Sequence, residues 1–242
     1  MTDLRIDYSD LHGFVDEAEK EKAKKGRRRD TARALPGRLL QWLLAVVVVA
    51  IFPFVLLIRG GVLAYQVWGL GTWPALALSV LASSLLLGGY AWLAGRKLGA
   101  GRGARRVLTR GAIAATVAYV AYGLVFIASE NVKSDEIRAE YSAVHPLLRL
   151  AASALVLVDP ESVVTDAGRT PEDYWLMGLP TNEASLHFEQ ETGFVHALDL
   201  RTQGRSELRN RSVELGFWML GFHSLRHVGT ADHLHLSLRL PG

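Results

Sequence analysis

An uncharged run from Leu39 to Ile58 restricts what this chain can fold into more than any other feature (Leu-Leu-Gln-Trp-Leu-Leu-Ala-Val-Val-Val-Val-Ala-Ile-Phe-Pro-Phe-Val-Leu-Leu-Ile). Its length matches the roughly 20 apolar residues that cross a bilayer core. In lipid, only a helix satisfies its own backbone hydrogen bonds over such a stretch, and Pro53 is expected to kink it. A long polar arm precedes the run and no small-residue cleavage site follows, which reads against a signal peptide. Two further apolar stretches, about Pro74 to Gly95 and Gly111 to Ser129, complete a set of three spans. Between the first two, residues 59 to 73 hold Gly60, Gly61, Tyr65, Trp68, Gly69, Gly71 and Trp73. That mixture reads as an interfacial turn or short helix at headgroup depth.

Orientation follows from charge. Arg96, Lys97, Arg102, Arg105, Arg106 and Arg110 stand between the second and third spans with no acid among them. A short loop this basic stays in the cytoplasm. The N-terminus is then cytoplasmic, and the chain beyond about Val132 is extracytoplasmic, where Glu130, Asp135 and Glu136 stand. The bacterial cytoplasmic membrane, with a periplasmic or external C-terminal domain, is the expected location. The basic cluster Lys20 to Arg29 fits the cytoplasmic flank of the first span better than nucleic acid. A net charge of +3 is too small to argue for a nucleic-acid partner. There is no cysteine, so neither a disulfide framework nor a thiolate metal site is possible.

The expected organisation is a polar arm (1–35), a transmembrane region of three α-helices (36–130) and a small α+β domain with an antiparallel sheet (131–242). Within the last, helices are expected over parts of Ile137 to Leu157, from Pro171 and from Ser206 to Leu220. Strands are expected at Val163-Val164-Thr165, Phe194 to Leu200 and Leu234 to Leu240.

Seven of the eight histidines lie beyond residue 140. Arg169 stands in a turn after the first strand, followed by Ser185-Leu186-His187, then Ala197-Leu198-Asp199, then Asp232-His233-Leu234-His235. Histidines and a carboxylate are the donor types of a catalytic zinc, which takes three N/O ligands and keeps a fourth position open. In order and type these segments resemble the zinc D-alanyl-D-alanine carboxypeptidases and related murein endopeptidases, which share a fold with the hedgehog signalling domain. The resemblance covers most of the C-terminal domain and none of the membrane part.

It implies His187, Asp199 and His235 as zinc ligands, and Asp232 as general base. It also implies that Arg169 and Ser185 contact substrate; His233, which shares a strand face with His235, is expected to stabilise an oxyanion. The spacing departs from the family: eleven residues separate His187 from Asp199 where six are usual. Either Phe188 to Thr192 form an inserted loop, or His196 replaces His187. His145, His223 and His227 have no motif around them and read as structural, and Arg201, Arg205, Arg209 and Arg211 read as a solvated basic face.

Three functions are consistent with this reading. The first is a membrane-anchored zinc metallopeptidase, a hydrolase acting on peptidoglycan stem peptides of the cell wall. The second is an inactive binding module of the same fold. The third is a membrane assembly protein with a membrane-protein partner. Membrane lipid is an expected partner under all three.

Overall fold

The computed structural model describes residues 39–229 and 232–241. The polar arm and its basic cluster lie outside the described residues, as do Thr230 and Ala231. By its internal contacts the chain divides into Met1–Ile51 and Phe52–Gly242. Three helices are long and apolar enough to cross a membrane: α1 (Leu39–Gln66), α2 (Thr72–Lys97) and α3 (Arg102–Val125). The 28 residues of α1 span about 42 Å at 1.5 Å per residue, more than a hydrocarbon core needs.

The helix ends differ from expectation in two places. Helix α1 continues to Gln66, so Gly60 and Gly61 sit inside it rather than in a turn. A Cβ on Gly61 would stand 2.6 Å from Leu147 Cδ2 and 3.0 Å from Ser79 Oγ, so glycine is what lets the helices cross closely there. Helix α3 begins at Arg102, about nine residues early, and only four residues separate it from α2. The supposed basic loop is thus mostly helix. Long arginine stems let the charges reach the polar layer while the backbone keeps its helical hydrogen bonds. Pro53 lies inside α1, and its carbonyl oxygen accepts a bond from Ser83 Oγ at 2.7 Å.

Beyond the spans come α4 (Asp135–Glu140), α5 (Pro146–Val158), α6 (Pro171–Leu176) and α7 (Glu207–Leu220). The strands are β1 (Val164–Asp166), β2 (Ala197–Arg201), β3 (His223–His227) and β4 (His233–Ser237). They form one antiparallel sheet in the order β1-β2-β4-β3. Strands β1, β2 and β4 lie within a few residues of their expected positions, and β3 is an additional strand.

Helix α5 joins the two regions. Pro146 stands at its first position and the His145 imidazole accepts the Leu147 N–H, so the start is capped and pre-set. Leu147, Leu148, Leu150, Ala151 and Ala152 are all buried, which makes this helix apolar around most of its circumference. It packs on α2, α3 and α7, and one core runs from Leu57, Ile58 and Val62 of α1 through α5 to Leu198, Leu200, Leu234 and Leu236 of the sheet. The membrane helices from Phe52 on and the C-terminal region therefore share a core.

His145 and His196 lie inside this core, with ring centroids 4.8 Å apart and Tyr65 against both. Burial, the neighbouring His196 and Arg149 together push the His145 pKa down to about 2, so it is a neutral packing and capping group. The arginines read as a solvated face are mostly paired instead. Arg205 and Arg209 hold Asp159, Arg209 also reaches Glu161, and Arg211 bonds Glu207 and Glu214.

Candidate metal centre

Side chains alternate across a strand, so Leu198, Leu200, Leu234 and Leu236 fill the core while their neighbours face the other side. On that other side Asp199 of β2 lies directly opposite His235 of β4. His233, two residues earlier, shares their face. The strand register alone therefore brings a carboxylate and two imidazoles together.

His187 arrives from the loop after α6 and is held by its own backbone and ring. Its N–H donates to Ser185 Oγ, and its carbonyl accepts the Arg169 N–H at 2.8 Å. Its Nδ1 lies 2.7 Å from the carbonyl oxygen of Ala167. A carbonyl oxygen can only accept, so Nδ1 carries the proton and the Nε2 lone pair points away from it. That is the outer bond that orients a metal-binding histidine.

The Nε2 atom is aimed at the other two groups. It stands 3.1 Å from His235 Nδ1 and 3.3 Å from Asp199 Oδ1, and these last two are 2.9 Å apart. A four-coordinate metal with N/O donors at about 2.0–2.1 Å sets its donors about 3.3–3.4 Å apart. The triangle needs to open by only a few tenths of an ångström. Among the described residues, His187, Asp199 and His235 form the group that could hold a metal ion.

Electrostatics agree with the geometry. Burial opposes ionisation of Asp199, but the neighbouring His187 and His235 imidazoles outweigh it and hold the carboxyl well below the usual range. Burial likewise opposes protonation of His187, but the Asp199 carboxylate reverses the balance and raises its pKa. The field that would draw an extra proton onto His187 is the field that would draw a cation.

The other oxygen of Asp199 faces His233 Nε2 and an Arg169 amine, each at 3.6 Å. Arg169 is bonded through Nε and Nη2 to Asp166, at 2.8 and 2.5 Å. Its guanidinium stands at the rim of the centre, beside both Asp199 and Tyr174. Ser185 is a positioning residue, since its hydroxyl oxygen accepts the His187 N–H.

Two expectations need correction. Asp232 precedes β4, but its carboxylate accepts from Arg226 Nε and Nη2 at 2.9 and 3.1 Å and from Thr202 Oγ1 at 2.6 Å. Those bonds lower its pKa to about 2, so it is a poor proton acceptor committed to a structural pair. His196 is no alternative ligand. Its Nδ1 lies 3.2 Å from the Leu238 carbonyl oxygen and its Nε2 2.8 Å from Thr192 Oγ1, inside the core. The long spacing from His187 to Asp199 is absorbed locally: Glu189 pairs with Val195, Gln190 N–H donates to the Phe194 carbonyl, and Gly193 turns the chain at φ +75°.

His227, expected to be structural, stands on the same face of the sheet as His233 and His235. It lies across β3–β4 from His233, with rings stacked at 4.6 Å, and 6.5 Å from the His235 ring. The available clue was the alternation in His223-Ser-Leu-Arg-His227, which puts both histidines on one face of an extended segment.

Comparison with protein-family models, with curated proteins and with solved structures finds no match for this chain.

Proposed function

We propose that the C-terminal region is a zinc-dependent peptidase, anchored by the three apolar helices and acting on peptidoglycan stem peptides outside the bacterial cytoplasmic membrane. The observation that carries the reading is the close triangle of His187 Nε2, Asp199 Oδ1 and His235 Nδ1, with the His187 tautomer fixed from behind. Two imidazoles and one carboxylate are a donor set of catalytic zinc, which leaves a position open. When bound, zinc polarises a substrate carbonyl and brings the pKa of a water toward neutrality.

The chain's own residues do the rest. His233 stands beside Asp199 on the exposed side of the sheet and takes the role of proton carrier that Asp232 cannot fill. Arg169, held in place by Asp166, donates to a substrate carboxylate or carbonyl oxygen. The choice of wall peptide as substrate rests on the resemblance in the order of Arg169, Ser185-x-His187, Asp199 and His233-x-His235. The outward orientation rests on charge: Arg96, Lys97 and the first arginines of α3 mark the cytoplasmic side, and the first acid after Thr31 is Glu130.

The test is hydrolysis of purified muropeptides by the full-length protein in detergent, for wild type and His233→Gln. Wild type should cleave, and the variant should keep its zinc while losing about 10²-fold in rate, the scale of a lost acid–base group. Wild-type protein that holds zinc stoichiometrically yet cleaves no wall peptide would end the enzyme reading in favour of a binding module.

A further inference from the structure

At the turn between α2 and α3 the helix ends form an open pocket of about 290 Å³ lined by Trp92, Arg102, Arg105, Arg106, Thr109 and Arg110. Four arginines line it, and Thr31 to Ser129 contain no Asp or Glu. Among the described residues none of these four arginines makes an ion pair. Two donors at its wall, Arg105 Nε and Thr109 Oγ1, are buried without a hydrogen-bond partner among the described residues. A buried donor left unpaired is costly, and most such groups in folded proteins have found a partner.

The pocket lies at the end of two helices that are long and apolar enough to span a bilayer, where the polar layer begins. Trp92 is half-exposed one turn inside it, with the Arg96 guanidinium 5.8 Å from its ring centroid. Tryptophan favours this depth. The helices are held close here by glycine: a Cβ on Gly95 would stand 2.9 Å from Arg105 Cγ, so the arginine stem is packed and its head directed. Basic pockets between membrane helices are where phosphate headgroups lodge.

We infer that this pocket binds the phosphate of an anionic phospholipid, with Arg105 and Thr109 donating from its wall and Arg102, Arg106 and Arg110 surrounding the charge. The inference rests on the three helices spanning the membrane and is independent of the metal centre. A bound headgroup would fix the depth and tilt of the α2–α3 hairpin. Through the shared core it would also fix the position of the sheet that carries His235.

Native mass spectrometry of the full-length protein released from detergent, with added phosphatidylglycerol, phosphatidylcholine or inorganic phosphate, tests this. Phosphatidylglycerol should be retained and phosphatidylcholine lost, and inorganic phosphate should displace no lipid. The double variant Arg105→Gln, Arg106→Gln should weaken retention roughly thirty-fold, from the loss of two charges at the headgroup layer. Arg105→Lys with Arg106→Lys should recover most of it, and the circular dichroism of the glutamine variant should equal wild type, which separates lipid loss from misfolding. Equal retention of the two lipids, displacement by phosphate, or retention unchanged in the glutamine variant would overturn the inference.

Discussion

Asp199→Ala is expected to weaken metal binding by more than about 100-fold, beyond the range for outer groups that merely orient a ligand. Asp199 contributes a donor atom and the negative charge, and it touches both histidine ligands. Without it, two imidazoles face each other across 3.1 Å with no anion to hold a divalent cation between them. Asp232→Asn is the matched control. It also removes a carboxylate from the same sheet, but one bonded to Arg226 and Thr202, so metal affinity should stay within a few-fold of wild type. Competition with a chromophoric chelator reads both variants. Equal affinities for Asp199→Ala and wild type would remove the centre from His187, Asp199 and His235.

Asp159→Ala is expected to lower the melting temperature of the detergent-solubilised protein by on the order of 10 °C. Asp159 follows α5 and is buried against Arg205, which is itself buried and also bonds Ser162. Removing one member of such a pair strands the other and costs about 3–5 kcal/mol, which in a chain of this size moves the melting point by about 2–4 °C per kcal/mol. Arg209 also bonds Asp159 but is more exposed, so its share is smaller.

The same pair has a pH signature. Burial would raise the Asp159 pKa, but bonds from Arg209 and Ser162 and the Arg205 charge outweigh burial and lower it. A depressed folded-state pKa contributes stability that is present above the unfolded value of about 3.9 and is lost as pH falls through the folded value. The gap between wild type and Asp159→Ala should therefore be constant from pH 5 to 8 and shrink below roughly pH 4. Melting curves across that range check it, and a gap that is absent or grows toward acid would contradict the assignment.

What the sequence made legible follows from what it writes locally. Uncharged runs announce three apolar helices, but a helix end is set by where charges can escape, and Arg102 to Arg110 do so from inside α3. Alternating apolar residues mark β2 and β4, and that alternation also assigns Asp199 and His235 to one face. Strand β3 is hidden because His223, Ser224 and Arg226 give it polar groups on both faces and no β-branched residue. The pairing of Asp232 with Arg226 crosses a hairpin, so it became visible only once β3 was known to lie beside β4. The sharing of one core between α1 and the sheet had no local signature either. Helix α5 is apolar on nearly every side, which says that it is buried but not between what.

The central claim is that this face of the sheet is a zinc centre. Elemental analysis of the full-length wild-type protein, purified without added metal or chelator, addresses it directly. The account predicts about one zinc per chain, reduced to background by Asp199→Ala; wild-type protein that carries no zinc, and takes up none on dialysis against it, would contradict it.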